Sequence, residues 1–331
     1  MQAGFAVMRW RRAGLGLALL VAVVVAGTAQ AQPDLSQTVG RTVADGEQRD
    51  YRFETFRLGS EDGERHYRVR VAIPKAGAPA LGYPVLYMLD GNAALMSVSD
   101  SMLGALRYPP VLVFIGYDND LRIDAPGRAY DYTPLWRGDI EGQAAQGRQD
   151  VVAGRRTGGA DAFLALLETQ VKPAVEALAP IDRRRQSLWG HSYGGMFVLH
   201  ALFVRRAAFQ TYIAVDPSLW WGEGFILDEA KRFMAAHDAV PDSRLILLRG
   251  TGESPRQRPP PDASRSVDME KVRTARAAAP PGAAQDLIRE LHRETSLRTE
   301  YRELPGLSHG QTLGVSVGIA LELAGEPASA H

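Results

Sequence analysis

The stretch Gly190-His191-Ser192-Tyr193-Gly194 constrains this chain more than any other. It is a G-x-S-x-G pattern with β-rich Ser187-Leu188-Trp189 before it and apolar, helix-like Met196-Phe197-Val198-Leu199 after it. Serine is neither a strand former nor a favoured helix-interior residue, and glycines on both sides permit a turn too tight for a flanking side chain. A strand that turns this sharply into a helix is predicted to hold its serine in a strained conformation at the carboxyl edge of a sheet, with the hydroxyl exposed. The helix that follows aims its first N–H groups and the positive end of its dipole at the same point. A glycine-rich strand–helix turn with a capping serine is the plainer reading of the same residues.

The surrounding pattern supplies the sheet that such a turn needs. Tyr51–Leu58 and His66–Ile73 read as half-buried strands, the second alternating Tyr67, Val69, Val71 and Ile73 with other residues. The dense runs Val85–Leu89 and Val111–Ile115 are short, β-rich and bounded by turn residues, as strands buried on both faces are. A helix is predicted over Ala160–Leu178, kinked or broken at Pro173. Strand Gln186–Trp189, helix Gly194–Arg205, strand Tyr212–Val215, helix Asp228–His237 and strand Arg244–Leu248 follow. A Pro/Arg-rich break at Ser254–Pro261, a charged helix within Ala283–Leu297, strand Thr299–Leu304 and helix Thr312–Leu323 complete the chain. Residues 118–157, polar and glycine-rich without a clean period, read as a long irregular loop. Alternation of strand and helix predicts an α/β fold: an open, mostly parallel central sheet with an antiparallel start and helices on both faces.

The first 31 residues stand apart. Arg9, Arg11 and Arg12 precede the apolar run Ala13–Ala26, and Ala29-Gln30-Ala31 fits a signal-peptidase site, so residues 1–31 are expected to be a cleaved signal peptide and 32–331 a single catalytic domain. An uncleaved anchor is the other reading, for which the run is short. The full chain has 38 basic and 38 acidic side chains; loss of the leader leaves 35 against 38, a net charge of −3. A mildly acidic domain is a poor nonspecific nucleic-acid binder, and no stable membrane span is expected after cleavage. Cysteine is absent, which excludes disulfides, thiolate metal sites and a cysteine nucleophile. Export without disulfides suits a periplasmic protein of medium size.

A serine hydroxyl is weakly nucleophilic at neutral pH and needs a base. In this chain order the base is expected late, after the last strand, where Pro305-Gly306-Leu307-Ser308-His309-Gly310 lies; His309 is the candidate, and a helix-capping histidine the alternative. His191 is too near in sequence to turn back onto Ser192, and His200, His237 and His292 fall within helices, where surface or packing roles are expected. Glu253, after strand Arg244–Leu248, is the favoured acid to orient the imidazole; Asp216, after the preceding strand, is the runner-up, and a Ser–His dyad with no acid is the third possibility. Backbone N–H groups of Tyr193 and of Gly91 or Asn92, in the turn Leu89-Asp90-Gly91-Asn92-Ala93, are the candidate oxyanion donors, although Asp-Gly-Asn is also a common plain turn. The chemistry requires no metal and no organic cofactor.

The chain resembles the esterase-D-like branch of the α/β-hydrolases, and within it the enterochelin (enterobactin) esterases of the Fes and IroE type. The pieces that carry the resemblance span nearly all of the chain after the leader: Tyr83–Asn92, Val113–Tyr117, Arg128–Pro134, Gly190–Gly195, Pro217–Trp221 and Leu307–Gly310. It implies an α/β-hydrolase fold and cleavage of the ester bonds of a cyclic tri-serine catecholate siderophore, free or ferric, in the periplasm. It implies that Ser192 and His309 are catalytic and that Arg128 binds substrate. The position of Asp216 is more often small in this branch, and some members are thought to work as a dyad. A ferric triscatecholate is a bulky anion, which arginine suits by charge, forked donors and stacking on rings. Arg122, Arg128 and Arg137, interleaved with Tyr130, Tyr132 and Trp136, lie in the 118–157 segment; Arg256 and Arg258 follow Glu253, and Trp220 and Trp221 are candidates to wall a pocket. Ordinary surface arginines and core tryptophans are the alternative. The rival functions are a general carboxylesterase, feruloyl-type esterase or acyltransferase on the same fold, and a noncatalytic periplasmic siderophore-binding protein. Oligomeric state is not legible.

Overall fold

A computed structural model describes residues 36–47, 49–135, 149–150, 155–236, 242–252 and 282–326. Eight strands form one sheet: β1 (Tyr51–Gly59), β2 (His66–Pro74), β3 (Tyr83–Met88), β4 (Val111–Tyr117), β5 (Ile181–His191), β6 (Thr211–Val215), β7 (Arg244–Gly250) and β8 (Arg298–Leu304). Their spatial order is β1-β2-β4-β3-β5-β6-β7-β8. The β1/β2 and β2/β4 pairs are antiparallel and every other pair is parallel. The antiparallel start and parallel remainder expected from the sequence are both present.

The dense apolar strands owe their composition to burial on both faces. In β4, Val111, Val113 and Ile115 enter one core, while Leu112 and Phe114 enter the other. In β7, Leu245 and Leu247 face the first core and Ile246 and Leu248 the second. Period-two alternation in a strand with no polar face leaves no exposed residues to break the run. The first core is closed by α4 (Ala160–Leu166), α5 (Lys172–Leu178), α6 (Tyr193–Val204), α7 (Phe225–Ala235) and α8 (Ala283–Glu294). The second is closed by α1 (Gly91–Met96), α2 (Asp100–Ala105) and α9 (His309–Gly325). Helix α6 is buried from Gly194 to Phe203 without interruption, because it runs between the sheet and α7 and exposes no face.

The structure departs from the sequence expectations in three places. Residues 118–157 are not irregular throughout: Ala125–Asp131 forms helix α3, N-capped by Asp124, whose Oδ1 accepts from Gly127 N–H at 2.7 Å. Two turns of helix are too short to show a period. Pro173 does not break its helix; a π-helical turn, Leu167–Val171, precedes it and lets the chain continue into α5. A widened turn accommodates a ring that would clash with the preceding carbonyl and has no N–H to give. Strand β5 begins at Ile181, five residues before the expected start, because its first half is the charged Asp182-Arg183-Arg184-Arg185, which carries no apolar signal.

His200, expected in a surface or packing role, is a buried ionic junction. Its Nδ1 lies 2.9 Å from Glu229 Oε2 on α7 and its Nε2 3.1 Å from Asp161 Oδ1 on α4, so one imidazole on α6 ties three helices together. Burial disfavours the charged ring, but hydrogen bonds to both carboxylates outweigh it and raise the pKa from 6.5 to about 9. A raised folded-state pKa stabilises the fold fully below the unfolded value, and the contribution is lost as pH climbs through the folded one. The contribution is on the order of 2–3 kcal/mol. Urea unfolding from pH 6 to 10 should show the stability gap between the native protein and His200→Gln narrowing across pH 6.5–9. A gap that does not change with pH would refute the assignment.

Candidate active site

Five strand ends, those of β3, β5, β6, β7 and β8, converge at the carboxyl edge of the sheet. Central strand β5 ends at His191, and the next residue, Ser192, has φ 61° and ψ −113° before α6 begins. The strain is held by contacts on both sides: Ser192 N–H donates to Val215 O at 2.9 Å, and its carbonyl accepts from Met196 N–H and Ser218 N–H. The glycines act by close approach. A Cβ on Gly190 would lie 2.3 Å from Gly194 O, and one on Gly195 would lie 2.7 Å from Val215 O. Gly194 itself has room, its nearest neighbours standing at 3.6 Å, so the second tight position is one residue later than the G-x-S-x-G pattern suggests.

The histidine arrives from the far side of the sheet. After β8, a turn through Gly306 (φ 72°) brings in Ser308, which caps α9, with Gln311 Oε1 accepting from both its N–H and its hydroxyl at 2.9 Å. His309 is the first residue of α9, and its Nε2 stands 3.1 Å from Ser192 Oγ. Serine and histidine are 117 residues apart in sequence and within hydrogen-bond reach in space. Ser192 is 7% exposed and the His309 side chain 30%. A second hydroxyl, Ser218 Oγ, lies 3.3 Å from Ser192 Oγ.

Of the two acids weighed from sequence, Asp216 is at the site and Glu253 lies outside the described residues. Asp216 follows β6 with φ 42°, is 2% exposed, and places Oδ2 3.7 Å from His309 Nδ1. Burial raises its pKa, against hydrogen bonds from Thr312 and Gly250 and the charge of Arg249. His191 is turned toward the histidine and the start of α9. Its ring packs 4.7 Å from that of His309, and its Nε2 is 2.8 Å from His309 O. Sequence reasoning missed Thr312, Arg249 and Ser218; nothing about an isolated threonine, arginine or serine marks it before the strand ends are brought together.

The turn after β3 closes the other side. Asp90 takes a left-handed conformation (φ 49°, ψ 47°) ahead of α1, and its N–H donates to the Tyr132 hydroxyl at 2.9 Å. Gly91 is pressed against β4, where a Cβ would lie 2.5 Å from Ile115 N. The Asn92 side chain is used internally, accepting from Arg70 and donating to Asn119 O and Leu121 O. Arg128, on α3, forms a two-point pair with Asp90 (Nε–Oδ1 and Nη2–Oδ2, both 2.9 Å) and donates to His191 O at 3.2 Å. It opposes the Tyr132 and Tyr193 rings at 5.6 and 5.4 Å and is 14% exposed. Burial alone would favour the neutral guanidinium, but the Asp90 charge outweighs it and the pKa rises. The whole Arg-x-x-Asp-Tyr-Thr segment is knitted in this way: Asp131 accepts from the Tyr67 and Tyr117 hydroxyls, both at 2.9 Å, and Thr133 Oγ1 accepts from Gly158 N–H.

Trp220 is half-buried 6.1 Å from the Tyr193 ring, beside the serine. Trp221 is 5% exposed and packs in the core against Phe225. Tyr130 lies under Arg65 and Arg156, at 4.2 and 4.9 Å. Arg122 is half-buried near the mouth of the β3 turn, whose Asn92 bonds its neighbour Leu121. Trp136, Arg137, Arg256 and Arg258 lie outside the described residues. Among the described residues, His191, Asp216 and His309 are also the only group of His, Asp and Glu side chains close enough to share a metal ion. They are already engaged with one another, with Thr312 and with Ser192.

A positive-φ serine at a strand–helix elbow, a late histidine at 3.1 Å and the strand order 1-2-4-3-5-6-7-8 define a serine hydrolase of the α/β-hydrolase fold. Residues 60–258 match the Esterase family, described as "Putative esterase", and the chain belongs to that family. It is 42% identical over 221 residues to the apo-salmochelin esterase of Escherichia coli O6:H1, a stretch covering 63% of this chain and 66% of that protein. It is 31% identical over 295 residues to the ferri-bacillibactin esterase BesA of Bacillus subtilis, covering 84% and 91% of the two chains. Among solved structures, the enterobactin hydrolase IroE in complex with DFP superposes with a TM-score of 0.64 at 32% identity, covering 86% of this chain and 99% of that one.

The Asp90–Arg128 pair has a measurable consequence. Arg128→Met leaves Asp90, 2% exposed at its side chain, without its counter-charge, which should cost about 3–5 kcal/mol. The double variant Asp90→Asn/Arg128→Met removes both charges and should recover most of that loss in chemical unfolding. Equal losses in the single and double variants would show that the pair does not act as a unit.

Proposed function

We propose that this chain is a serine esterase that opens the ester bonds of a catecholate siderophore trilactone, free or iron-loaded, after export and cleavage behind Ala31 leave residues 32–331 as a periplasmic catalytic domain. The observation that carries the reading is the 3.1 Å contact between Ser192 Oγ and His309 Nε2 in a chain similar to several siderophore esterases. Among the described residues no helix is long and apolar enough to cross a membrane.

The contact between serine and histidine supports the following steps. His309 Nε2 takes the Ser192 proton as Oγ attacks the ester carbonyl, and the carbonyl π electrons move onto oxygen. The N–H groups of Tyr193, first residue of α6, and of Gly91 or Asn92, first residues of α1, are the proposed donors to that oxyanion. Both helices start at this point, so both dipoles favour the negative charge. Collapse of the tetrahedral intermediate breaks the ester C–O bond, and the imidazolium returns its proton to the departing seryl alkoxide of the trilactone. Water, activated by the same imidazole, then releases the acyl group from Ser192. Trp220 offers a ring wall beside the serine, and the exposed edge of Arg128 not spent on Asp90 is proposed to meet the catecholate. Arg256 is proposed as a further contact to the anion.

Ser192→Ala should reduce trilactone hydrolysis at least a thousandfold while leaving the fold intact, and should abolish labelling by a fluorophosphonate. Product analysis by mass spectrometry, with apo and ferric triscatecholates and with simple acyl esters, checks this. Retained cleavage by the variant would end the mechanism; faster turnover of simple esters than of trilactone would move the reading to a general carboxylesterase.

A further inference from the structure

We propose that Asp216 is the acid that positions His309, supplied from the strand next to the nucleophile's own, with the Thr312 hydroxyl holding it in place. The inference deepens the esterase reading and rests on it. The runner-up from sequence is the acid that geometry puts at the imidazole. Asp216 Oδ2 faces His309 Nδ1, the ring nitrogen turned away from Ser192, at 3.7 Å. That is ion-pair range and longer than a hydrogen bond; such contacts tighten when the imidazolium forms.

The carboxylate is set in place by three donors. Thr312 Oγ1–H donates to Oδ2 at 2.6 Å, Gly250 N–H donates to Oδ1 at 3.1 Å, and Arg249 Nη1 stands 3.3 Å from Oδ1. Three different elements, α9, the end of β7 and the turn after β6, thus meet on one side chain. The backbone there is held at φ 42°, unfavourable for a non-glycine residue, which the surrounding bonds must offset.

The hydrogen-bond roles close consistently. A threonine hydroxyl has one proton, and the shortest contact assigns it to Asp216. His309 O can only accept, so the His191 Nε2 that lies 2.8 Å from it is the donor, and the same N–H also faces Thr312 Oγ1 at 3.2 Å. His191 is therefore protonated on Nε2. Among the described residues, the charged and titratable groups that face His309 and Asp216 include His191 from β5, Arg249 from β7 and Tyr301 from β8, the last feeling the charges of Glu303, Arg249 and Asp216. Asp216 brings a carboxylate oxygen to 3.7 Å from the imidazole.

Asp216→Asn and Asp216→Ala test this on the full exported chain. Each should lower kcat by about a hundredfold or more with KM little changed. Each should also move the acid limb of the kcat/KM profile to lower pH, because the charge that favours imidazolium is gone; a merely structural residue would lower activity without moving that limb. Thr312→Val keeps the charge but frees the carboxylate, so it should lower kcat about tenfold and leave the acid limb in place, which serves if the Asp216 variants fold poorly. Wild-type kcat and an unmoved limb in the Asp216 variants, with the loss and shift appearing in Glu253→Gln instead, would overturn the proposal in favour of Glu253; no shift in either would leave a dyad. In all these variants fluorophosphonate labelling of Ser192 persists at a reduced rate, whereas failure of the esterase reading itself would abolish any dependence on Ser192.

Discussion

The elbow at Ser192 is the constraint on which the rest of this structure depends. A residue with a side chain is held at φ 61°, and it can stay there only because the backbones of Gly190 and Gly194 nearly touch and Gly195 lies against the end of β6. The contact with Val215 couples the elbow to the neighbouring strand, so the strain is shared with the sheet instead of being carried by one turn. It also explains why α6 is buried on all sides: a helix launched this steeply from a central strand must cross the middle of the sheet. The uninterrupted apolar sequence of that helix and the glycines before it are two consequences of one backbone geometry.

From the elbow outward, the site is assembled by strand ends that share an edge. β3 delivers Asp90 to Asn92, β5 delivers His191 and Ser192, β6 delivers Asp216, β7 delivers Arg249 and Gly250, and the turn after β8 delivers His309. Parallel pairing makes this possible, since it places the carboxyl ends of successive strands side by side at one edge. Neighbouring loops are also bonded to one another, as where Gly252 N–H donates to Leu307 O and so joins the end of β7 to the histidine turn.

Much of this was legible in the sequence because burial and turns leave local marks. The strands buried on both faces, the serine between glycines and the late histidine in Leu-Ser-His-Gly all carry their signal within five or six residues. What could not be read has no local mark. Helix α3 is only two turns long, and the charged first half of β5, Asp182 to Arg185, falls in the irregularity between the Ile181–Tyr83 and Gln186–Val85 pairs with β3. Thr312 matters because Asp216, 96 residues away, is 2.6 Å from it. The charge of Arg128, expected from the resemblance to face substrate, is directed at Asp90, a partner 38 residues earlier that looks like part of an ordinary turn.

The two buried carboxylates of the site are treated differently, and the difference fits the chemistry proposed for it. Asp90 lies near Gly194, where a Cβ would stand 3.6 Å from its Oδ2, on the side assigned to the developing oxyanion. A bare carboxylate there would repel the negative charge of the transition state; the two-point pair with Arg128 at 2.9 Å, in a largely dry setting, cancels it. Asp216 lies on the opposite side, where the charge that develops is positive. Its arginine, Arg249, reaches it with one nitrogen at 3.3 Å and is 49% exposed, so water screens the pairing and part of the carboxylate's field remains directed at His309. A tight ion pair on the oxyanion side and a loose one on the imidazolium side bias the site toward the charge separation that transfer of a proton from serine to histidine requires. The same two aspartates with their arginines exchanged in strength would oppose it.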